Sequence, residues 1–566
     1  MLRNNIQLNI YALLYDKIPE NHILRILNEN VDFSFINELL EDSYSKYYGR
    51  PAKEPELMVK LLVLQYLYNL SDVRVIEDAS LNLAYMYFLG INPDDKLPHP
   101  SLLAKFRRHR LDEEAGITVD DINTEIIKQC VEMGIIDGTG LSVDTTHSEA
   151  NTFKATPERV IKRLAKKIFK NLKEENGEVP ENINQEIPNY KEIEDPREAK
   201  EIMQSYLEET IKEVEDTVDL NNSPCTRKVI ENAKEILADP KFMEQKGVRS
   251  IVDQDARVGH KSKNEHFFGY KVEYMMTTQE RIITAVNVNN GAYVDGTRFN
   301  ELIEQTEKSG VTIKEVYGDK AYFRKPILDQ IEKLKAKPYI PVSEAVYRVD
   351  EERYSYNKDS DEWFCDQGNQ TVKKKHMVRK NGKQTYRYYF EREKCRTCPL
   401  RGECINGSAI GKILEVGINT PEFYEYSQEQ KKEEFKEKYK NRACQEWKNG
   451  EMKNFHGLDR ARGYGLKSMS LQAKLTALAV NLKRIAAILS SSNTSLSQIN
   501  AIYIHKLDKK LHFRIKFGNG AFSSSKKGHF FSGLGQHTCP AVPNAGKFHS
   551  AADQFFDLFS VFVHFI

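Results

Sequence analysis

No stretch of this chain reaches the about 18 consecutive apolar residues that a helix needs to cross a bilayer. The nearest candidate, LQAKLTALAVNLKRIAAIL, is broken by Lys474, Lys483 and Arg484. The start, MLRNNIQLNIYALLYDKIPENH, lacks the charged head, apolar middle and small-residue cleavage site of a secretory signal. A cytoplasmic protein with no membrane partner is therefore expected. Cysteine is sparse, eight in 566 residues, too few for a disulfide framework and reduced by default in that compartment. An excess of either charge is missing as well. With a formal net charge of +1, a nucleic-acid partner must be sought in local patches. What is present is a folded composition, 40% hydrophobic and 29% charged. The length calls for roughly two to four domains.

Residues 1–130 read as a helical domain. ELMVKLLVLQYLYNLSDVRVIEDASLNLAYMYFLGI has apolar residues at helical spacing, and Ser71 and Asp72 offer a cap between two helices. Lys105, Arg107, Arg108 and Arg110 then crowd together. They form either a solvated basic face or the phosphate contacts of a DNA-binding domain. In GLSVDTTHSEANTF the period changes to two, and residues 131–154 open an α/β core. Asp144 sits on the polar side of this first strand, and His147 reads as an ordinary polar residue. Residues 155–250 are Glu- and Lys-rich, aromatic-poor and helical in pattern. This charged insertion suits a flexible arm as well as a dimerising or DNA-clamping one.

Residues 251–345 hold the rest of the core. FFGYKVEYMMTTQERIITAVNVNNG is a hairpin in which Tyr270, Val272, Tyr274 and Met276, then Ile282, Thr284, Val286 and Val288, alternate with other residues. A helix follows with Phe299, Leu302, Ile303 and Thr306 on one face and Gly310 as its stop. VTIKEVYGDKAYF is a strand ending at Gly318 and Asp319, and a helix and a short strand complete the segment. The order is that of a mixed α/β sheet flanked by helices.

In YKNRACQEWKNGEMKNFHGL, Tyr439, Arg442, Glu446 and Lys453 are spaced to fall on one narrow helical stripe, within an arc of about 60°. Asp144 and Asp319 on two strands and Glu446 on a helix can converge, and three such carboxylates ask for a cation. Glu451 is a rival for the third acid, but lies about 140° around the helix from Glu446.

These residues resemble the DDE transposases of bacterial insertion sequences. LSVDTTHSEAN resembles their first-Asp strand and VYGDKAYF their second. Tyr-x2-Arg-x3-Glu-x6-Lys matches the YREK signature of one large group, and LTALAVNLKRI resembles their closing helix. The likeness covers roughly residues 50–485. It implies a ribonuclease H-like core in which Asp144, Asp319 and Glu446 are catalytic and hold two Mg²⁺ or Mn²⁺ ions. Two such metals suit phosphodiester hydrolysis followed by strand transfer. Arg442 and Lys453 would grip phosphates of the cleaved strand, and Tyr439 would donate a hydrogen bond or stack nearby. DNA, as element ends and target, is the implied partner, with a dimer assembled on it at the bacterial nucleoid. A related nuclease that cuts without joining uses the same acids. A non-catalytic DNA-binding derivative would not need them. Arg257, Lys261 and Lys263, before the hairpin, form either a DNA-contacting or a solvated loop.

Residues 346–430 form a second insertion. Cys365, Cys395, Cys398 and Cys404 make a candidate structural zinc site, although the spacing is not that of a standard finger. Unbound thiols are the alternative. Between residues 371 and 404 eleven Lys/Arg face three Glu, interleaved with Tyr386, Tyr388, Tyr389 and Phe390. Such a patch suits distorted or single-stranded DNA. Trp363 is either a stacking platform for a flipped base or a buried strand residue. Cys130, Cys225, Cys444 and Cys539 read as structural. Residues 431–490 carry the acid helix and the closing helix, and 491–566 read as a poorly ordered extension.

Overall fold

The period-two segments assemble into one sheet. Its strands are β1 (Gly140–Glu149), β2 (Arg257–His260), β3 (His266–Thr277), β4 (Ile283–Asn290), β5 (Glu315–Tyr317) and β6 (Lys337–Tyr339). The order is β2–β3–β1–β5–β6, with β4 also paired to β3. β3 runs antiparallel to both β1 and β4, whereas β1, β5 and β6 run parallel. The antiparallel pair β3–β4 needs only a tight turn, but the parallel half needs crossovers. Helices Phe299–Lys308 and Lys325–Lys333 supply them. Phe299, Leu302, Ile303 and Thr306 are buried, as their spacing predicts, and Gly310 ends that helix with φ +80°. This computed structural model describes residues 14–491 except 45–51, 112–116, 153–154, 240–241, 243–248, 262–263, 381 and 406–408. Lys263, Cys539 and the extension after Ser491 lie outside the described residues.

Three strands depart from the sequence reading, β3 among them, since it is buried without a break from Val272 to Thr277. β4 does not alternate, because every residue from Ile283 to Val288 is buried. Helix Phe299–Lys308 and the closing helix Leu466–Ser491 both pack on it, and a strand with covered faces loses its polar side. The segment read as a loop around Arg257 is instead partly an edge strand, paired with the start of β3.

The closing helix, buried along most of its length, packs against β4 and helices Pro55–Leu67 and Val119–Glu132. Leu61 and Leu64 from the amino-terminal helices share one hydrophobic core with Leu475, Leu478 and Leu482. Inside that interface Asn481 accepts from Ile283 N at 2.7 Å and donates to Ile283 O at 2.8 Å. No helix among the described residues is long and apolar enough to cross a membrane.

Both insertions have structure of their own. Helices Pro157–Asn176, Pro196–Thr217 and Pro224–Ala238 each start on a proline, where a missing N–H costs nothing. They bury a separate core that includes Leu164, Ile168, Leu207 and Ile230. The second insertion is a hairpin, β7 (Tyr354–Asn357) and β8 (Glu362–Cys365), and a three-stranded sheet, β9 (Thr371–Val378), β10 (Gln384–Phe390) and β11 (Ile413–Gly417). Trp363 is fully buried, with Tyr356, Tyr388 and Tyr424 around it. The stacking-platform alternative is thereby excluded, since no face of the indole is open to a base.

Candidate active site

The parallel pairing of β1 and β5 covers Gly140 with Glu315, Leu141 with Val316 and Ser142 with Tyr317. The pairing ends at Ser142 and Tyr317, each two residues before an aspartate, so Asp144 and Asp319 follow the same end of this paired stretch of neighbouring strands. Adjacent strands are about 4.8 Å apart, and the Asp319 charge is felt at Asp144. Asp319 leaves the sheet at once and caps the short helix Lys320–Tyr322, accepting from Ala321 N at 2.8 Å.

The third acid arrives on helix Cys444–His456. Gln445, fully buried, ties this helix to β1 by donating to Ser142 O at 2.7 Å. The stripe is not one uninterrupted α-helix. Tyr439 ends helix Glu433–Tyr439, a 3₁₀ turn spans Lys440–Ala443, and the α-helix resumes at Cys444. Arg442 still reaches both sides, with Nη2 3.7 Å from Asp144 Oδ1 and Nη1 3.9 Å from Glu446 Oε1. Its buried Nε has no hydrogen-bond partner. Glu446 itself is largely exposed, at 72% of its side chain. Tyr439 is half-buried and stacks on Phe435 with ring centroids 6.0 Å apart. Lys453 sits at the far end of the stripe, its Nζ 3.2 Å from Nδ1 of His147 on β1. Glu451 is turned elsewhere, paired with Lys448 at 2.8 Å and Lys483 at 2.9 Å.

Three contributors have no sequence signature that reveals them. Asn449, one turn beyond Glu446, donates to Asp144 Oδ2 at 3.1 Å and accepts from Tyr274 OH at 2.9 Å. Tyr274 is the cross-strand partner of Asp144. His147, read as an ordinary polar residue, is the neighbour of Lys453. The Asn449 helical phase, three residues after Glu446, is the one signal available beforehand.

The electrostatics join the same residues. Burial pushes the Asp144 carboxyl up to about 6, Arg442 opposes the rise, and Asp319 adds to it. Burial works against the Arg442 charge, but Asp144, Tyr439, Asp319 and Glu446 outweigh it and raise its pKa. Burial, then Lys261, lowers Lys453 to about 8. Burial, then Lys453 and Lys261, lowers His147 to about 4, so at neutral pH the imidazole accepts the lysine's proton bond.

Among the described residues no three Asp, Glu, His or Cys side chains converge closely enough to hold a metal ion. At the acids, Arg442 is the counter-charge present. The donor set nonetheless fits a hard divalent cation, being carboxylate oxygens. Cys365, Cys395, Cys398 and Cys404 all line one cavity of about 260 Å³, but their thiols surround it without closing on a common point. Asn369 Nδ2 donates to Cys395 Sγ at 3.1 Å, and Cys404 Sγ lies 3.7 Å from Tyr354 OH.

The basic patches divide into committed and open residues. Arg107 makes a bidentate pair with Asp72 at 2.9 and 2.6 Å, and Arg110 stacks over Tyr44 at 4.4 Å. Lys105 and Arg108 are exposed. Arg257 donates to Ala256 O at 3.0 Å and Lys261 lies 3.5 Å from Glu265. On the second-insertion sheet Lys374 is held by Asp361 at 2.6 Å, whereas Lys373 and Lys375 are exposed.

Comparison with known proteins adds two matches. Residues 12–109 match a family described as a transposase domain (DUF772), and residues 364–486 match a family described as a transposase DDE domain. The second match contains Glu446, while Asp144 and Asp319 lie outside both. No curated protein matches the chain. Among solved structures, the piggyBac transposase synaptic complex with hairpin DNA aligns at 11% identity. That alignment covers 83% of this chain and 75% of the other, with a TM-score of 0.28, a likeness too loose to bear on fold or function.

Proposed function

We propose, from the premise that this chain is a DDE-type DNA transposase, that Asp144, Asp319 and Glu446 are its catalytic acids and hold Mg²⁺ or Mn²⁺. The reading is supported by one arrangement, the β1–β5 pairing that ends two residues before both Asp144 and Asp319, with Arg442 between Asp144 and Glu446. When bound, two such ions activate an attacking oxygen and stabilise the leaving one of a phosphodiester.

The remaining roles belong to the chain's own groups. Asn449 orients the Asp144 carboxylate through one hydrogen bond. Arg442, whose Nε is unused, turns from the acids to a non-bridging phosphate oxygen of the cleaved strand. Lys453, which His147 approaches without neutralising, grips a second phosphate. Tyr439 supplies a hydrogen bond or a stacking face to the same strand. Water attacks first and frees a 3′-OH, which then attacks target DNA. The finer identity we propose is a bacterial insertion-sequence transposase of the YREK group with a ribonuclease H-like core. The sheet order, antiparallel on one side of β1 and parallel on the other, supports that core. Action at the nucleoid as a dimer follows from the need to bring two DNA ends together. Residues 1–130 would contribute a DNA-binding domain, with Lys105 and Arg108 as its open cations. A structural zinc at the four cysteines is supported by donor type and their common cavity, and requires the thiols to close inward.

The test is a Mg²⁺-dependent cleavage and joining assay on the DNA that flanks the gene. Joining is expected. Cutting alone would select a nuclease, and neither would select a binding protein. In the same assay Asp319→Asn should keep DNA binding and abolish cleavage, because a neutral amide ligates the cation poorly. Unchanged cleavage would remove Asp319 from the site.

A further inference from the structure

Backbone pairing between β1 and β5 stops at Ser142 and Tyr317, two residues short of both aspartates. No ladder hydrogen bond therefore fixes Asp319 to the Asp144 strand. What spans the gap is a side-chain network. Glu273 lies opposite Thr145 in the β1–β3 pairing and is fully buried. Its Oε1 accepts from Tyr322 OH at 2.8 Å and from Gly296 N at 2.6 Å, and its Oε2 accepts from Tyr293 OH at 2.8 Å. Tyr322 OH also lies 2.9 Å from Thr145 Oγ1. Because the phenol donates to the carboxylate, the threonine hydroxyl donates to the phenol. Tyr322 belongs to the short helix capped by Asp319, and its N–H bonds Asp319 O at 3.1 Å. Thr145 is the residue after Asp144. One buried carboxylate thus fastens the neighbour of one catalytic acid to the turn that presents the other.

The turn is also seated sterically. A Cβ at Gly318 would stand 3.3 Å from both Val143 Cγ1 and Tyr322 Cβ, so glycine lets the chain pass closely between β1 and the tyrosine. Glu273 and Tyr322 at its centre are buried, at 0% and 1% exposure, and so are out of reach of DNA. A purely packing role would be served by phenylalanine and glutamine, without three donors converging on one buried carboxylate.

We infer that Glu273, Tyr322 and Thr145 are positioning residues that set the separation of Asp144 and Asp319 before any cation arrives. The inference rests on the reading of those aspartates as metal ligands. Removing a hydrogen bond made directly to a ligand side chain typically weakens metal affinity by about 10–100-fold, and a network one residue removed from the ligands should act at or below the lower end of that range.

The test uses Tyr322→Phe in the full chain. Mn²⁺ binding is measured by calorimetry without DNA, and backbone hydrogen exchange over residues 318–324 is measured in the metal-free protein. The inference expects Mn²⁺ binding weakened by up to about 10-fold and faster exchange in that turn, with DNA affinity unchanged. Glu273→Gln, which keeps one acceptor oxygen, should fall between Tyr322→Phe and wild type. Wild-type Mn²⁺ affinity and exchange in Tyr322→Phe would overturn the inference. If Tyr322→Phe loses DNA affinity through misfolding, the near-isosteric Thr145→Val decides by the same two readouts. Asp319→Asn separates the two levels. Should it leave Mn²⁺ binding intact, the metal-ligand reading itself fails. Should it abolish binding while Tyr322→Phe behaves as wild type, only the positioning role fails.

Discussion

Asp144, the first of the proposed catalytic acids, shows how much of such a residue's setting lies outside its own position. Arg442 supplies its counter-charge, Asn449 one hydrogen bond, and Tyr274 holds the asparagine. Asn449→Ala should therefore leave DNA affinity unchanged and lower the cleavage rate about 10-fold or more, read in single-turnover cleavage at saturating Mg²⁺. A wild-type rate would make the asparagine a bystander. These contacts explain what was legible beforehand. Asp144 and Asp319 stand out in sequence because each ends or interrupts an apolar, strand-like run. Arg442 and Glu446 stand out because i and i+4 share a helix face. Asn449 bonds a residue 305 positions away, and Glu273 bonds Tyr322 across 49 positions. No local period encodes such pairs, so only the folded register reveals them. Trp363 failed as a stacking candidate for a related reason, because an aromatic in a strand reads the same from sequence whether it is covered or open.

The helix Cys444–His456 divides its labour between two faces. One sends Asn449 to Asp144 and Lys453 to His147 on β1, with Glu446 exposed beside them. The other buries Glu451 against Lys448 and Lys483. Burial opposes ionisation of Glu451, but the two lysines outweigh it and hold the carboxyl down at about 2 against an ordinary 4.5. A depressed folded pKa gives stability that is complete above pH 4.5 and is lost as the pH falls toward 2. Glu451→Gln should destabilise the protein at neutral pH by about 3 kcal/mol and flatten the acid limb in that window, measured by urea unfolding against pH. An unaltered acid limb would contradict the pairing. On the second-insertion sheet, Lys373 and Lys375 project from the same face as Tyr389 and Arg387 through the β9–β10 register. If this face meets DNA, the Lys373→Ala, Lys375→Ala double variant should make the plot of log affinity against log salt shallower by about 1.8. No change in slope would return the patch to a solvated surface. The elements themselves were legible where a period ran long enough, as in Phe299–Lys308. β5, three residues long, was legible only through its following Gly-Asp. β2 and the 3₁₀ turn at Lys440–Ala443 were not legible, being too short to carry a period.

At the scale of the whole molecule, the two matched segments lie at opposite ends of the described chain and meet through the closing helix. Leu61 and Leu64 share a core with Leu475 and Leu478, and Arg462 lies over the Tyr66 ring at 4.4 Å. The amino-terminal helices thereby brace the helix that covers β4, and the sheet carrying the aspartates is held from behind. This explains why one charged, three-helix insertion can interrupt the sequence between Asp144 and Asp319 without parting them, for it folds on a core of its own. Its presence was legible from composition, its self-sufficiency only from structure. The central claim is that acids far apart in sequence share cations in space. Crystals grown with Mn²⁺ and measured at its absorption edge test this directly. The account predicts anomalous density within about 2.2 Å of oxygens from both Asp144 and Asp319, with Glu446 drawn in to complete the site. Manganese bound by neither aspartate, or by one of them with the other turned away, would contradict it.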